Sequence, residues 1–432
     1  AAATGCGADV VELFAQVLEA APLRALVPAH RLLLGSTRGG QCRKPLLVVD
    51  PGNLGPEPLA SHAVHHAVDV DEYPEGYFVT DDFTDRAIDM VRESKASDPS
   101  KPFFLYLSQA AVHAPLQAKA VDIDRQKDRY RAGWDVVRQA RYDRQVALGV
   151  IPEGAELAPR NAEPGDDVVA WDDLDADRQA LFARYMEVYA GLISNLDENI
   201  GRLRDALEEM GEWDNTLFIF TSDNGGSREG QEQGTTAYFR TLHFERKGKR
   251  ERFDEDFARL DEMGGPTTLP HSPRGWAMVS NTPFRLYKIN AHRGGHSVPF
   301  VVSWPQGEVP GGELRHQYMH VTDLVPSMLS IAGVKRPERW RGEPVLALAG
   351  EDLSASLTDA GAPGRSADVM VENEGHRAYR RSGWEAVTRH ASRTPFSDDV
   401  WELFDMAADP AQLRDRAADN PELLSELREA WD

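Results

Sequence analysis

Cysteine is nearly absent from the chain, and this scarcity excludes two kinds of architecture. Cys6 and Cys42 are the two cysteines in 432 residues, so neither a disulfide framework nor a tetrahedral thiolate metal site can hold the fold together. Cationic side chains are also in deficit, because 48 Lys and Arg stand against 70 Asp and Glu and leave a formal net charge of −22. This balance argues against nucleic acid and anionic membranes as partners, since phosphate groups need a basic face. A locally positive pocket for a small anion remains compatible with it.

Long apolar runs are missing as well. No run approaches the length of about 20 residues that spans a bilayer, and the N-terminal stretch AAATGCGADVVELF lacks the basic start and apolar centre of a signal peptide. The first residue is Ala, which leaves an upstream segment open. A hydrophobic content of 41% with 27% charged residues is typical of a soluble globular protein with a sizeable core. The compartment and the oligomeric state stay undetermined.

Short apolar runs and amphipathic segments alternate along the chain, which is the pattern of an α/β protein. The runs at 102–108, 217–222 and 299–304 are continuous in apolar residues. Such runs are typical of strands covered on both faces, so they predict a central, largely parallel or mixed sheet flanked by helices.

Three helices follow from periodicity. The clearest is predicted over 175–210, where apolar residues recur at three- and four-residue steps and Gly211 supplies the stop. A shorter helix is predicted after Thr80, with acidic residues in its first turn. Another is predicted from about Thr322 to Gly333. The charge-rich segments 121–171 and 240–270 are predicted to lie outside the core, the first as an excursion over the surface and the second as a solvated loop.

The character of the sequence changes near residue 336. The stretch VMVENEGHRAYRRSGWEAVTRH predicts two alternating strands joined around Ser382 and Gly383. WELFD predicts a further strand and NPELLSELREAW an amphipathic helix, which together indicate a small antiparallel subdomain. We therefore divide the chain into an atypical segment at 1–74, a main domain at 75–335 and a C-terminal subdomain at 336–432.

The run LFIFTSDNGG ends a predicted strand on Asp223 and Asn224. In open α/β sheets, ligands bind where the carboxyl ends of strands meet. Carboxylate and amide oxygens suit Ca²⁺ or Mg²⁺, while the two glycines that follow let the backbone turn sharply. The competing interpretation is an ordinary turn, because these residue types are common in turns.

Two basic side chains extend this site. His113 lies just past the strand in KPFFLYLSQAAVHAP, and Lys288 ends RLYK shortly before GGHSVPFVVSWP. Each has an ordinary interpretation by itself, a structural histidine beside proline and a solvated surface lysine. The hypothesis rests on the order of the whole set.

Taken together, KPFFLYLSQAAVHAPLQ, FTSDNGG, RLYK, GGHSVPFVVSWP, VTDLVPSML and WELFDMAADP resemble the sulfatase family, of the arylsulfatase type within the alkaline-phosphatase-like superfamily. The resemblance runs from about residue 75 to the C-terminus. It implies hydrolysis of a small-molecule sulfate ester at a Ca²⁺ site. By position it matches Asp223 and Asn224 to metal ligands, His113 to the histidine near the leaving oxygen and Lys288 to a lysine that contacts the sulfate.

The family's formylglycine nucleophile comes from a C/S-x-P/A-x-R segment, and no such segment is present. Cys42 begins CRKPL, Cys6 begins CGADV, and the serine of SDPSK precedes a lysine where the pattern needs arginine. The family's N-terminal aspartates also lack convincing counterparts, and Asp50 is interpreted as part of an ordinary strand and turn. We therefore expect a partial sulfatase catalytic domain at 75–335 whose turnover is in question.

Two other functions stay open at this point. One is a phosphonate or phosphodiester hydrolase of the same superfamily, because these esters are close to sulfate esters in charge and shape. The other is a non-catalytic protein that binds sulfated ligands. A C-x-P-S-R segment encoded upstream would distinguish the sulfatase, whereas the organic part of the substrate cannot be inferred.

Overall fold

A computed structural model describes residues 47–49 and 74–432, apart from 153, 244–247 and 341. Cys6, Cys42 and Asp50 lie outside the described residues, so the interpretations made of them are not addressed. The helices are α1 (Val79–Ser97), α2 (Ala120–Arg125), α3 (Gly133–Ala147), α4 (Ala176–Glu209), α5 (Tyr238–His243), α6 (Lys249–Phe257), α7 (Arg274–Ser280), α8 (Arg293–His296), α9 (Leu324–Ile331) and α10 (Pro421–Trp431). The strands are β1 (Leu47–Val49), β2 (Phe104–Tyr106), β3 (Phe218–Thr221), β4 (Phe300–Ser303), β5 (Arg339–Trp340), β6 (Glu343–Pro344), β7 (Val369–Asn373), β8 (His376–Arg381), β9 (Trp384–Thr388) and β10 (Trp401–Asp405).

The long helix α4 is confirmed to within a residue at each end. Asp175 caps its N-terminus by accepting a hydrogen bond from the Arg178 N–H at 2.8 Å, which satisfies one of the unpaired donors of the first turn. Gly211 follows the C-cap at φ 72°, a left-handed conformation that glycine adopts without steric cost. The helices predicted after Thr80 and before Gly333 are confirmed as α1 and α9.

The three predicted strands of the main domain are confirmed as β2, β3 and β4. The described pairs are antiparallel, β1 with β2 and β3 with β4. The prediction that both faces are covered is wrong for β2, because Phe104 and Tyr106 are 41% and 50% exposed. The direction of the neighbouring strand was inferred from the same pattern, and the described pairs do not show parallel pairing.

One face of these strands lies on a helical layer. The buried side chains Ile88 and Val91 of α1 pack with Leu203, Ala206 and Leu207 of α4. Leu105 of β2 and Phe218 of β3 pack against the same cluster. The two strand pairs therefore share one layer of helices, and the C-terminal ends of β2 and β3 lead into the loops described below.

The prediction that 121–171 is an excursion over the surface is wrong. Trp134 of α3 and Trp171 are 1% and 3% exposed and pack edge-on, with ring centroids 4.9 Å apart, in the main hydrophobic core. The segment contains buried arginines, and Arg138 donates to the Ala158 carbonyl at 2.6 Å. A high charge count suggested solvent exposure, but a guanidinium bonded to backbone carbonyls can line a core.

The prediction that 240–270 is a solvated loop is wrong for the residues that the structure describes there. Helix α6 buries Phe253, and Met263 is 1% exposed within the main core. Asp256 is also buried and accepts a hydrogen bond from the Thr236 N–H at 2.8 Å. Alternating charges occupy the outer face of a short amphipathic helix, so they did not reveal its inner face.

The predicted C-terminal antiparallel sheet is confirmed, with strands in the order β10–β9–β8–β7. Ser382 and Gly383 join β8 to β9 at φ 49° and 85°, the positive values that a two-residue hairpin turn requires. The sequence prediction missed that a second turn at Glu374 and Gly375 divides the preceding stretch into β7 and β8. Helix α10 is confirmed, and its Leu427 is fully buried against this sheet.

Among the described residues, no helix combines the length and apolar character needed to cross a membrane.

Candidate active site

The Asp-Asn-Gly-Gly sequence forms a tightly packed loop at the end of β3. The backbone N–H of Gly225 donates to the Gly295 carbonyl at 2.9 Å, and that of Gly226 donates to Asn281 Oδ1 at 2.7 Å. A β-carbon on Gly225 would lie 1.9 Å from the Gly294 carbonyl oxygen, so a larger residue would push the two loops apart. The glycines therefore permit a close approach between the β3 loop and the segment that follows Lys288.

The loop presents Asp223 and Asn224 differently. Asp223 is exposed, whereas Asn224 is half-buried and donates from Nδ2 to the Gly225 carbonyl at 2.9 Å. Asn224 Oδ1 is buried and has no hydrogen-bond partner among the described residues. An unpartnered amide oxygen beside a carboxylate fits a hard divalent cation, because the cation would satisfy the oxygen that the protein leaves unpaired.

Among the described residues, Asp223 and Asn224 are the two side chains that we assign to this candidate metal site. The described residues contain no group of three or more His, Cys, Asp or Glu that could hold a metal ion. Ca²⁺ takes about six to eight oxygen ligands, so Asp223 and Asn224 would supply a minority of them.

His113 lies in the turn that follows β2. Its Nδ1 is 2.6 Å from the Ala114 carbonyl, and because a carbonyl only accepts, Nδ1 carries the proton and donates it. Nε2 then points away from the backbone and lies 3.5 Å from Lys288 Nζ. Burial lowers the pKa of His113 below its usual 6.5, and the charge of Lys288 lowers it further. Glu229 and Asp223 act in the opposite direction.

Lys288 is held against the β3 loop by its backbone and by its side chain. The Lys288 N–H donates to the Gly226 carbonyl at 3.0 Å. Its ammonium lies 3.0 Å from Glu229 Oε2, and the two side chains are only 15% and 20% exposed. The competing interpretation of Lys288 as a solvated surface lysine therefore does not hold, because its side chain is only 15% exposed.

Three functional candidates were missed from the sequence: Ser227, Glu229 and His271. Ser227 Oγ lies 3.0 Å from Glu229 Oε2 and 3.1 Å from His271 Nε2. His271 is 1% exposed, and burial lowers its pKa to about 4. An isolated β-bridge between Thr235 and His271 holds this histidine close to the loop that carries Ser227. Ser227 and Glu229 lie within five residues of Asn224, which was the available signal, but nothing in the sequence indicated that His271 joins them.

The structure thus brings His113 and Lys288 into contact and places Asp223 within electrostatic reach of them. The Asp223 charge affects the pKa of His113 and, after burial, helps to raise that of Tyr106, the last residue of β2. Asn224 joins the group as the neighbour of Asp223 in the same loop. A carboxylate, an amide oxygen, an ammonium and an imidazole therefore lie around the carboxyl ends of β2 and β3.

Fold and site together define the class, an α/β protein whose strand-end loops combine oxygen donors with a lysine and a histidine. Comparison with known proteins adds the family. The sulfatase family model matches residues 54–334, which begins inside the segment that the sequence analysis set apart at 1–74. The chain therefore belongs to the sulfatase family, as its motifs indicated. The family generally binds a divalent metal.

Among curated relatives, an uncharacterized sulfatase of Schizosaccharomyces pombe is 31% identical over 378 residues, which are 87% of this chain and 64% of that protein. An arylsulfatase of Klebsiella aerogenes is 32% identical over 263 residues, covering 60% of this chain and 53% of that protein. The chain thus spans between half and two thirds of these relatives. Among solved structures, the crystal structure of Ps i-CgsB aligns at 22% identity with a TM-score of 0.48, covering 85% of this chain and 56% of that one.

Proposed function

We propose that this chain carries the ester-binding and leaving-group residues of a hydrolase of the arylsulfatase type, which cleaves small-molecule sulfate esters. The observation that carries the proposal is the approach of His113 Nε2 to Lys288 Nζ, 3.5 Å apart, beside the loop of Asp223 and Asn224. A sulfate ester carries negative charge on its sulfuryl oxygens, and charge develops on the leaving oxygen as the ester breaks. Catalysis therefore needs fixed positive groups at both places.

Each side chain has a role that its surroundings support. Lys288 binds a sulfuryl oxygen as a point charge, since its ammonium is held by Glu229 at 3.0 Å and lies 3.5 Å from His113 Nε2. His113 serves the leaving oxygen through Nε2, because Nδ1 is engaged by the Ala114 carbonyl. Burial lowers its pKa, so the protonated imidazole is a stronger acid than a free histidine and its Nε2 proton would pass to the leaving oxygen.

Asp223 and Asn224 would hold Ca²⁺ through the exposed carboxylate and the unpartnered Oδ1. A bound divalent cation polarises the sulfuryl group and offsets its charge. The choice of Ca²⁺ over Mg²⁺ follows from the resemblance to the arylsulfatase type, because either cation accepts these oxygen ligands.

We extend the proposal to the architecture, with the two strand pairs as parts of one central mixed sheet. Leu105 of β2 and Phe218 of β3 pack on the same helices. Asp223, just after β3, affects the pKa of Tyr106 at the end of β2. Both observations support β2 and β3 as parallel neighbours in this sheet, with β4 paired antiparallel to β3. The boundaries 75–335 for the catalytic part and 336–432 for the C-terminal subdomain belong to the same proposal.

A second candidate function is binding of sulfated ligands without turnover. It is favoured by one observation, the lack of a C/S-x-P/A-x-R segment in these 432 residues. Phosphonate and phosphodiester hydrolysis stays an alternative for the substrate, because those esters carry the same single charge as a sulfate ester.

Ligand binding tests the proposal without requiring turnover. Calorimetric titration with 4-nitrophenyl sulfate in the presence of Ca²⁺ should show saturable binding. The Lys288→Met variant should weaken that binding by at least about tenfold, since a hydrogen bond to a charged group contributes about 1.5–3 kcal/mol. Lys335→Met removes an exposed lysine and serves as the matched control. Equal affinity of the wild type and the Lys288 variant would contradict the assignment.

A further inference from the structure

A carboxylate accompanies the cation in the anion site. Glu229 Oε2 lies 3.0 Å from Lys288 Nζ, and both side chains are mostly buried. Burial alone would raise the pKa of Glu229, but Lys288 and the Ser227 hydroxyl outweigh it and hold the pKa below its usual value. The carboxylate is therefore ionised near neutral pH and offsets the lysine's charge.

Hydrogen bonds fix the position of this carboxylate. Ser227 Oγ donates to Glu229 Oε2 at 3.0 Å and accepts from the Glu229 backbone N–H at 3.1 Å. Behind it, the buried His271 contacts the same hydroxyl through Nε2 at 3.1 Å. Because Lys288 and Ser227 both bind Glu229 Oε2, the carboxylate cannot swing away from Lys288 without also breaking its bond to the buried Ser227 hydroxyl.

We propose that Glu229 is a specificity-determining residue that makes the site favour singly charged esters over doubly charged phosphate monoesters. The inference rests on the proposed function, because it assumes that the ester group binds at Lys288. A sulfate monoester carries one negative charge, whereas an aryl phosphate carries two well above its second pKa of about 6. The fixed carboxylate repels the second ligand about twice as strongly as the first.

The size of the effect follows from Coulomb's law. An ester oxygen on the far side of the ammonium would lie about 6 Å from the Glu229 carboxylate. The effective dielectric for a ligand at the mouth of such a site lies between about 20 at a protein surface and about 80 in water, and we take about 40. One additional unit charge on the ligand then costs about tenfold in affinity, which corresponds to about 1.4 kcal/mol.

Affinities for 4-nitrophenyl sulfate and 4-nitrophenyl phosphate, measured by calorimetry at pH 8 with the same Ca²⁺ concentration, test the inference. The quantity compared is the ratio of the two dissociation constants, phosphate over sulfate. Glu229→Gln should lower this ratio about tenfold. Displacement of Lys288 in the variant would weaken the doubly charged ester more than the singly charged one and raise the ratio, so a lowered ratio reports the lost charge of Glu229.

Two controls complete the experiment. Glu229→Asp keeps the charge and should leave the ratio within about threefold of the wild type. Glu209→Gln makes the same change of net charge at an exposed position, 71% accessible, and should leave the ratio unchanged. If wild-type protein binds 4-nitrophenyl sulfate but Glu229→Gln leaves the ratio unchanged, the inference is overturned while the proposed function stands. If the wild type binds neither ester, both are overturned.

Discussion

Replacing Asp223 by asparagine removes the one carboxylate that the described site offers to a metal while keeping its shape. Asp223 and Asn224 supply at most three side-chain oxygens, two from the carboxylate and one from the amide. A Ca²⁺ ion takes about six to eight, so water would complete the shell. Ca²⁺ sites that have only a few charged ligands bind weakly, towards the millimolar range. We therefore expect a dissociation constant no better than about 10⁻⁴ M.

The same constant sets the stabilisation that calcium can provide. At about 1 mM free Ca²⁺, a dissociation constant of 10⁻⁴ M corresponds to about 1.4 kcal/mol of added unfolding free energy, whereas a micromolar site would add about 4 kcal/mol. Chemical denaturation with and without Ca²⁺ distinguishes these values, and calorimetric titration gives the constant directly. In the Asp223→Asn variant, both the heat of binding and the stabilisation should disappear.

The matched control is Asp214→Asn, which removes an exposed carboxylate just before β3 rather than just after it. This variant should bind Ca²⁺ as the wild type does. Micromolar binding that Asp223→Asn abolishes would refute the reasoning, because it would require ligands beyond the two side chains considered. Asp50, which lies outside the described residues, would then be the first to substitute.

The remaining predictions concern turnover and stability. Purified protein of this sequence should show no hydrolysis of an aryl sulfate, even with Ca²⁺ and a formylglycine-generating enzyme, and activity clearly above a His113→Ala control would contradict this. Asp323→Ala removes a fully buried carboxylate paired with Arg365 and should lower the unfolding free energy by about 3–5 kcal/mol in denaturant titrations. The double variant with Arg365→Met should recover part of that loss, and a single-variant effect below about 1 kcal/mol would count against the ion pair. Burial lowers the pKa of His271 to about 4, so the unfolded chain binds the proton first as pH falls below 6.5. Stability should then decrease by about 1.6 kcal/mol between pH 6.5 and 5 through this residue, and His271→Gln should lack that share of the pH dependence.

Local patterns determined the elements that were predicted correctly. The helix at Ala176–Glu209 carries its apolar stripe, its aspartate cap and its terminating glycine within one stretch of chain. The hairpin at Ser382 and Gly383 likewise needs only residues able to adopt positive φ between two alternating runs. Both signals arise from neighbouring residues, so no knowledge of distant contacts was needed.

Burial of charged segments could not be predicted in the same way. Arg138 and Arg141 are both buried in a segment whose composition is typical of a surface. Arg138 donates to the Ala158 carbonyl, and the helix that carries both arginines packs through Trp134 against Trp276, whose ring centroid lies 5.9 Å away. The composition of a segment shows that it contains charges that are costly to bury, but it does not show which partners would offset that cost.

The same distinction between local sequence and distant contacts applies to the candidate site. Residue types at strand ends suggested Asp223, Asn224 and His113, because loops at the carboxyl ends of strands converge. The resemblance to the sulfatase family matched these residues and Lys288 to site positions. Which of these side chains touch, and in what charge state, was decided by tertiary structure alone. Lys288 meets Glu229 because two glycines allow their loops to pack closely, and His271 reaches Ser227 across 44 residues. Such contacts depend on how separate segments fold together, and the electrostatics of the site depends on those contacts.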